Sequence, residues 1–201
     1  MAKLRSLGFA VVAAAASAAA PAHASLIADG LTYTLTESVL SSLTAQFTLS
    51  ITGINGASDT EKGRSGVNAI AFTQPSNFLS AVMITPPSGY SFINGGLNSS
   101  GCNGNGNFFC FDNTSIPPTP STAYAADSTL TFVFDVTLSS GSFAGYAPDL
   151  KIDWVGSKNN YDLVSKTITP TPAPEPASLA VLGVGMAGLG VIRKRRQRAA
   201  A

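Results

Sequence analysis

The sequence predicts an all-β fold, a single antiparallel β-sandwich or jelly-roll-like domain set between two terminal segments of another character. Three observations carry that prediction. Several stretches alternate apolar and polar residues with period two and are rich in Thr, Val, Phe and Tyr. Gly, Pro, Asn and Ser punctuate the gaps between them. No long stretch repeats its apolar residues every 3.6 positions, although 36–46 has room for a turn of helix.

In chain order, Met1 to Ala24 comes first. Lys3 and Arg5 precede an uncharged run from Leu7 to Ala20, and Ala22-His23-Ala24 follows as a small-x-small cleavage site. That order is a secretory signal peptide, with cleavage expected after Ala24 and Ser25 as the new N-terminus. A membrane anchor fits less well, because the run is short and alanine-dominated. The body is expected over 25–168. Its clearest strands are LTYTLTE (31–37), LTAQFTLSITG (43–53) and TLTFVFDVTL (129–138). In the last, Leu130, Phe132, Phe134, Val136 and Leu138 share one parity and therefore one face. Weaker candidates are 67–73, 79–84, 89–93, 150–155 and 161–168. A domain of this length buries about 68% of its unfolded surface, enough for one core. Asn94 to Pro120 reads as a long irregular loop.

Charge is unevenly placed. Lys3, Arg5, Arg193, Lys194, Arg195, Arg196 and Arg198 all lie in the terminal segments. Residues 25–173 keep five cations and ten acids, a formal charge of 5 − 10 = −5. Such a body has no basic footprint for nucleic acid and is repelled by anionic surfaces. Cys102 and Cys110 are the only cysteines, and an even pair in an exported chain predicts a disulfide. A metal reading is weak, since the spacing is not CxxC and no other Cys or mature-chain His is available.

Catalytic chemistry is sparse. The single histidine, His23, falls in the signal peptide, so the body holds no Ser-His-Asp triad or Cys-His pair. Ser165 and Lys166 are adjacent in a predicted strand and point to opposite faces. Two carboxylates remain a workable pair for glycoside hydrolysis, with Asp135, Asp149 and Asp153 as candidates. Asp149 and Asp153 offer two carboxylates toward a calcium site but lack the dense Asp/Asn loop of an EF-hand, and no cofactor is expected. Phe108, Phe109 and Phe111 are candidate ligand-stacking residues, or else cover the edge of the core. Trp154 and Tyr146 carry the same two readings. Asn98 and Asn113 match the N-glycosylation sequon.

The tail begins with a proline-rich linker, 169–176, whose prolines favour extended geometry. Ala177 to Ile192 is free of charge, and as a helix it would span about 24 Å, a short transmembrane segment. The basic tail 193–201 is expected on the cytoplasmic side. Gly183, Gly185 and Gly188 spell GxGxxG, but no acid follows, so dinucleotide binding is excluded. Small residues on such a helix instead permit close helix approach.

Pro174-Glu175-Pro176, the short Gly/Leu-rich span and the cluster Arg193-Lys194-Arg195-Arg196 together resemble the PEP-CTERM sorting signal. The resemblance implies recognition and cleavage near the motif by an exosortase-type membrane protease, in Gram-negative bacteria that make exopolysaccharide. It covers the last 25 or so residues and does not reach the body. The expectation is an exported protein, transiently anchored in the inner membrane and then placed at the cell surface or outside it. Its expected role is structural, adhesive or glycan-binding in the exopolysaccharide matrix of a biofilm or floc. The alternative is a secreted glycan-active enzyme that uses two carboxylates.

Overall fold

The structure is a computed structural model that describes residues 25–85, 89–98, 101–113, 122–156 and 166–173. Among these residues there is no helix, and eleven strands form two sheets. The strands are β1 (Ser25–Ala28), β2 (Leu31–Val39), β3 (Thr44–Ile54), β4 (Gly66–Thr73), β5 (Phe78–Thr85) and β6 (Tyr90–Asn98). They continue with β7 (Gly101–Asn113), β8 (Ser128–Leu138), β9 (Asp149–Val155), β10 (Lys166–Thr167) and β11 (Thr171–Pro172). The first sheet runs β1-β2-β3-β8-β5, with β11 also on β2, and the second runs β10-β9-β4-β7-β6. All pairings are antiparallel except β11 on β2. The expected all-β class and its two-sheet antiparallel form are therefore present.

The alternation read from the sequence becomes the inside and outside of the sandwich. Leu31, Tyr33 and Leu35 of β2, Phe47, Leu49 and Ile51 of β3, and Phe132, Phe134 and Val136 of β8 are all buried. They meet Ile70, Phe72, Phe109, Phe111, Ile152 and Trp154 of the second sheet. Phe134 is the hub of this core, with ring centroids 4.8 Å from Phe72, 5.5 Å from Phe111 and 5.7 Å from Phe47. Full burial of each such ring stabilises the fold by about 1.5–3 kcal/mol.

One end of the sandwich is closed by an ion pair. Arg64 Nε lies 3.2 Å from Asp59 Oδ2, and both side chains are buried. The Arg64 guanidinium also stacks 4.7 Å from the Trp154 ring. Asn55 ties the loop together by donating its side-chain amide to the carbonyls of Arg64 and Tyr124 and accepting from the Arg64 N–H.

Several expectations change. The region expected as an irregular loop from Asn94 is largely a hairpin of β6 and β7. Its glycines hide the alternation, because a strand without side chains shows no period. At Gly96 an added Cβ would sit 2.7 Å from the Asn105 carbonyl oxygen, and at Gly104 one would sit 2.8 Å from that of Gly96. Only glycine lets these strands approach so closely. No helical turn occurs in 36–46, where β2 turns into β3. Thr171 and Pro172, expected in an open linker, are instead part of the first sheet. The signal peptide (1–24), the PEP tripeptide, the 177–192 span and the basic tail lie outside the described residues, as does most of 161–168. Among the described residues no helix is long and apolar enough to cross a membrane.

Candidate functional site

The outer face of the first sheet is tiled with hydroxyls. Because β2, β3 and β8 bury alternate residues, their other residues face away from the core. These are Thr32, Thr34, Thr36 and Ser38 on β2; Thr44, Gln46, Thr48, Ser50 and Thr52 on β3; and Thr131, Val133, Asp135 and Thr137 on β8.

Register places them in rows. Thr34 pairs with Ser50, which pairs with Thr131; Thr36 pairs with Thr48; Thr32 pairs with Thr52. Along a strand such residues repeat every ~6.8 Å, and across strands every ~4.8 Å. A hydroxyl offers one donor and two acceptor positions, so the grid is dense in hydrogen-bonding capacity and nearly free of charge. Asp135 is the exception, and it accepts a hydrogen bond from Gln46 Nε2 at 3.0 Å. Thr44 and Thr137 hydroxyls lie 3.4 Å apart.

The second sheet carries a different feature on its outer face. Asp112 of β7 and Asp153 of β9 both pair with Ala69 of β4, so the two acids flank one small residue in a single row. Burial raises both carboxyls above their ordinary values, and Asp112 raises Asp153 further by like charge. The side-chain amide of Asn68 donates to Asp153 Oδ2 at 2.9 Å and partly offsets this. Of the three acids proposed from the sequence, Asp153 thus has an acidic neighbour, but that neighbour is Asp112. Asp135 lies on the other sheet, and Asp149 accepts from Thr167 Oγ1 at 2.7 Å. Asp149 and Asp153 are four residues apart on one strand, about 13 Å, beyond the reach of one cation. No group of three or more His, Cys, Asp or Glu that could hold a metal occurs among the described residues.

The disulfide joins Cys102 to Cys110, with Cα atoms 5.7 Å apart. It holds the end of the β6–β7 hairpin against the outer face of the second sheet, where Leu97, Ala69 and Ala71 form a small satellite core with the bridge. Its neighbours separate by parity. Phe109 and Phe111 point into the main core and are fully buried, which corrects their reading as ligand-stacking residues. Phe108 faces outward, half-buried, with Lys151 Nζ 4.4 Å from its ring centroid. Trp154 is a core residue, and Tyr146 packs on Phe47 while its hydroxyl donates to the Thr73 carbonyl at 2.6 Å. Asn113 is buried in the folded sandwich and so is not presented as a glycosylation acceptor. Ser25 is the exposed first residue of β1 and pairs with Thr34.

Residues 172–196 match the model of the PEP-CTERM protein-sorting motif. This motif is that of exported proteins sorted at the membrane by an exosortase-type system. Neither a curated protein nor a solved structure matches the chain.

Proposed function

We propose that the protein is a structural or adhesive component of the extracellular polysaccharide matrix of a biofilm or floc, holding glycan on the outer face of its first sheet. In this reading the signal peptide exports the chain and the C-terminal segment anchors it transiently in the inner membrane. The exosortase-type protease is the partner that processes it on the way to the cell surface. The hydroxyl grid of β2, β3 and β8 is the observation that supports it. A polyhydroxylated polymer exchanges its water contacts for equivalent ones on a surface nearly free of charge, and repetition along the chain makes weak contacts add.

The test is a binding assay with the 201-residue chain in detergent, against a glycan array and immobilised exopolysaccharide. Binding to neutral glycans is expected, and Thr34→Glu with Ser50→Glu should reduce it at least tenfold. Absence of glycan binding by the unsubstituted chain would sink the proposal.

A second reading, a carboxylate-dependent glycan-active enzyme, draws support from the Asp112–Asp153 pair. It requires release of reducing ends from a polysaccharide, abolished by Asp112→Asn and by Asp153→Asn. Those variants leave the first-sheet face intact, so the two readings separate.

A further inference from the structure

The two sides of the sandwich are finished differently. On one side β1 and β11 together occupy the outer edge of β2, and β10 covers the edge of β9. On the other side β5 and β6 end their sheets, and among the described residues no strand pairs with their outer edges. These two edges lie together, since the Phe78 and Phe92 rings are 6.1 Å apart.

Natural sheet edges are commonly blunted by charge, above all by lysine. Here protection by charge is missing, because the sequence has no charged residue from Ser65 to Phe111, and the irregularities of β5 leave a short regular stretch between them. The side is also apolar. Leu79, Val82 and Ile84 of β5 and Phe92 and Ile93 of β6 are five of the eight large hydrophobics exposed among the described residues. Scattered apolar residues need no explanation, but five on one unpaired double edge do.

We propose that this side is a self-association surface, on which β5 pairs antiparallel with β5 of a second copy of the chain. Charge selects that occupant. The 25–173 body has a formal charge of −5, so two copies repel through most of their surfaces. The β5/β6 side brings no charged residue of its own strands to the contact, and the nearest on the first sheet, Asp135, is held by Gln46 one strand away. The surface offers no charge or acceptor cluster to select a different partner, whereas a two-fold axis satisfies free N–H and C=O groups with identical ones.

Parity sets the register. The regular part of β5 is Ser80 to Met83, with irregularities at both ends. Ala81 is buried and Val82 exposed. Pairing Val82 with its own counterpart keeps outer residues opposite outer residues over the regular stretch, and brings Ser80 to the exposed Ile84 in the irregularity at the end of the other copy's strand. A slip of one residue would set the outward Val82 of one copy opposite the inward Ala81 of the other, joining outer face to inner face. The first sheets of two copies then form one continuous sheet, with both hydroxyl faces on its surface.

The experiment expresses the full 201-residue chain in a bacterial host that exports it, and oxidises the exported product at the cell surface. Val82→Cys should give a disulfide-linked species of twice the monomer mass, while Thr34→Cys, on the far side of the sheet, stays monomeric. Adding Ser80→Lys and Ile84→Lys places like charges opposite each other and should cut the Val82→Cys dimer at least fivefold. As a check free of new cysteines, sedimentation of the unsubstituted chain in density-matched detergent should show a dimer that these two lysines convert to monomer. The proposal is overturned by a monomer in both experiments, by equal linking through Thr34→Cys, by a dimer indifferent to the lysines, or by linking to a protein of another mass. None of these outcomes depends on whether glycan binds.

Discussion

The backbone N–H of Ala173 donates to the carbonyl oxygen of Glu37 at 2.7 Å. Through this bond the end of the described chain is held on β2, and Ser25 pairs with Thr34 of the same strand. Both ends of the body thus share one strand. The sorting motif match begins at Pro172, so it starts inside the sheet. Nothing separates the folded body from Pro174.

The β11 contact should therefore govern access to the sorting motif. Thr171 is buried, and Thr171→Asp places an unpaired charge there. Amide exchange at Ala173 should accelerate by at least tenfold and processing near the motif should speed up. Unchanged exchange at Ala173 would show that β11 does not hold the tail.

Replacing both Cys102 and Cys110 by Ser should cost about 2.6 kcal/mol if the bridge acts mainly on the entropy of the unfolded chain. Denaturant unfolding measures this. Faster amide exchange should be confined to the β6–β7 hairpin and its satellite core.

Removing one member of the buried pair, by Arg64→Met or Asp59→Asn, should destabilise the sandwich by about 3–5 kcal/mol, because the partner charge is left without compensation. Burial alone would raise the Asp59 carboxyl, but the N–H groups of Asn55 and Glu61 and the Arg64 guanidinium outweigh it and hold it below the ordinary range. A carboxyl depressed on folding contributes stability above its unfolded value and loses it as pH falls through the folded one. Asp59→Asn should accordingly flatten the loss of stability in acid.

Asp112 and Asp153 have the opposite sign. Their carboxyls are raised on folding, so each favours the folded state when protonated and disfavours it as pH rises past the raised value. Asp112→Asn should raise the melting temperature at pH 7 and have little effect well below the ordinary carboxyl range. A lower melting temperature at pH 7 would show that Asp112 makes a favourable contact that outweighs its burial.

Gly104→Ala should destabilise the hairpin by about 1–3 kcal/mol, the usual range for overpacking, since the Gly96 carbonyl leaves no room for a methyl group. Calorimetry and exchange on β6 and β7 test it together.

Much of this architecture can be read along the chain. In β8 the parity of Phe132, Phe134 and Val136 already separates the core from the hydroxyl-bearing Thr131 and Thr137. The β6–β7 hairpin escapes such reading because Gly95, Gly96, Gly104 and Gly106 carry no side chain to alternate. Phe109 and Phe111 looked available only while their segment seemed to be a loop; once it is a strand, parity sends them inward and Phe108 outward. Asp112 could not be matched with Asp153, since 41 positions (153 − 112) separate them and only Ala69 between their strands brings them into one row.

By itself the amino-acid order determined the sorting signal, the strand faces and the cysteine pair, because each is encoded within a few neighbouring residues. The tertiary structure decided strand order, and with it the hydroxyl rows, the acid pair, the strand that holds both ends of the body and the two edges left bare. Alternation states which way a side chain points, but hydrogen bonds between distant segments choose its neighbour, and no local pattern records that choice.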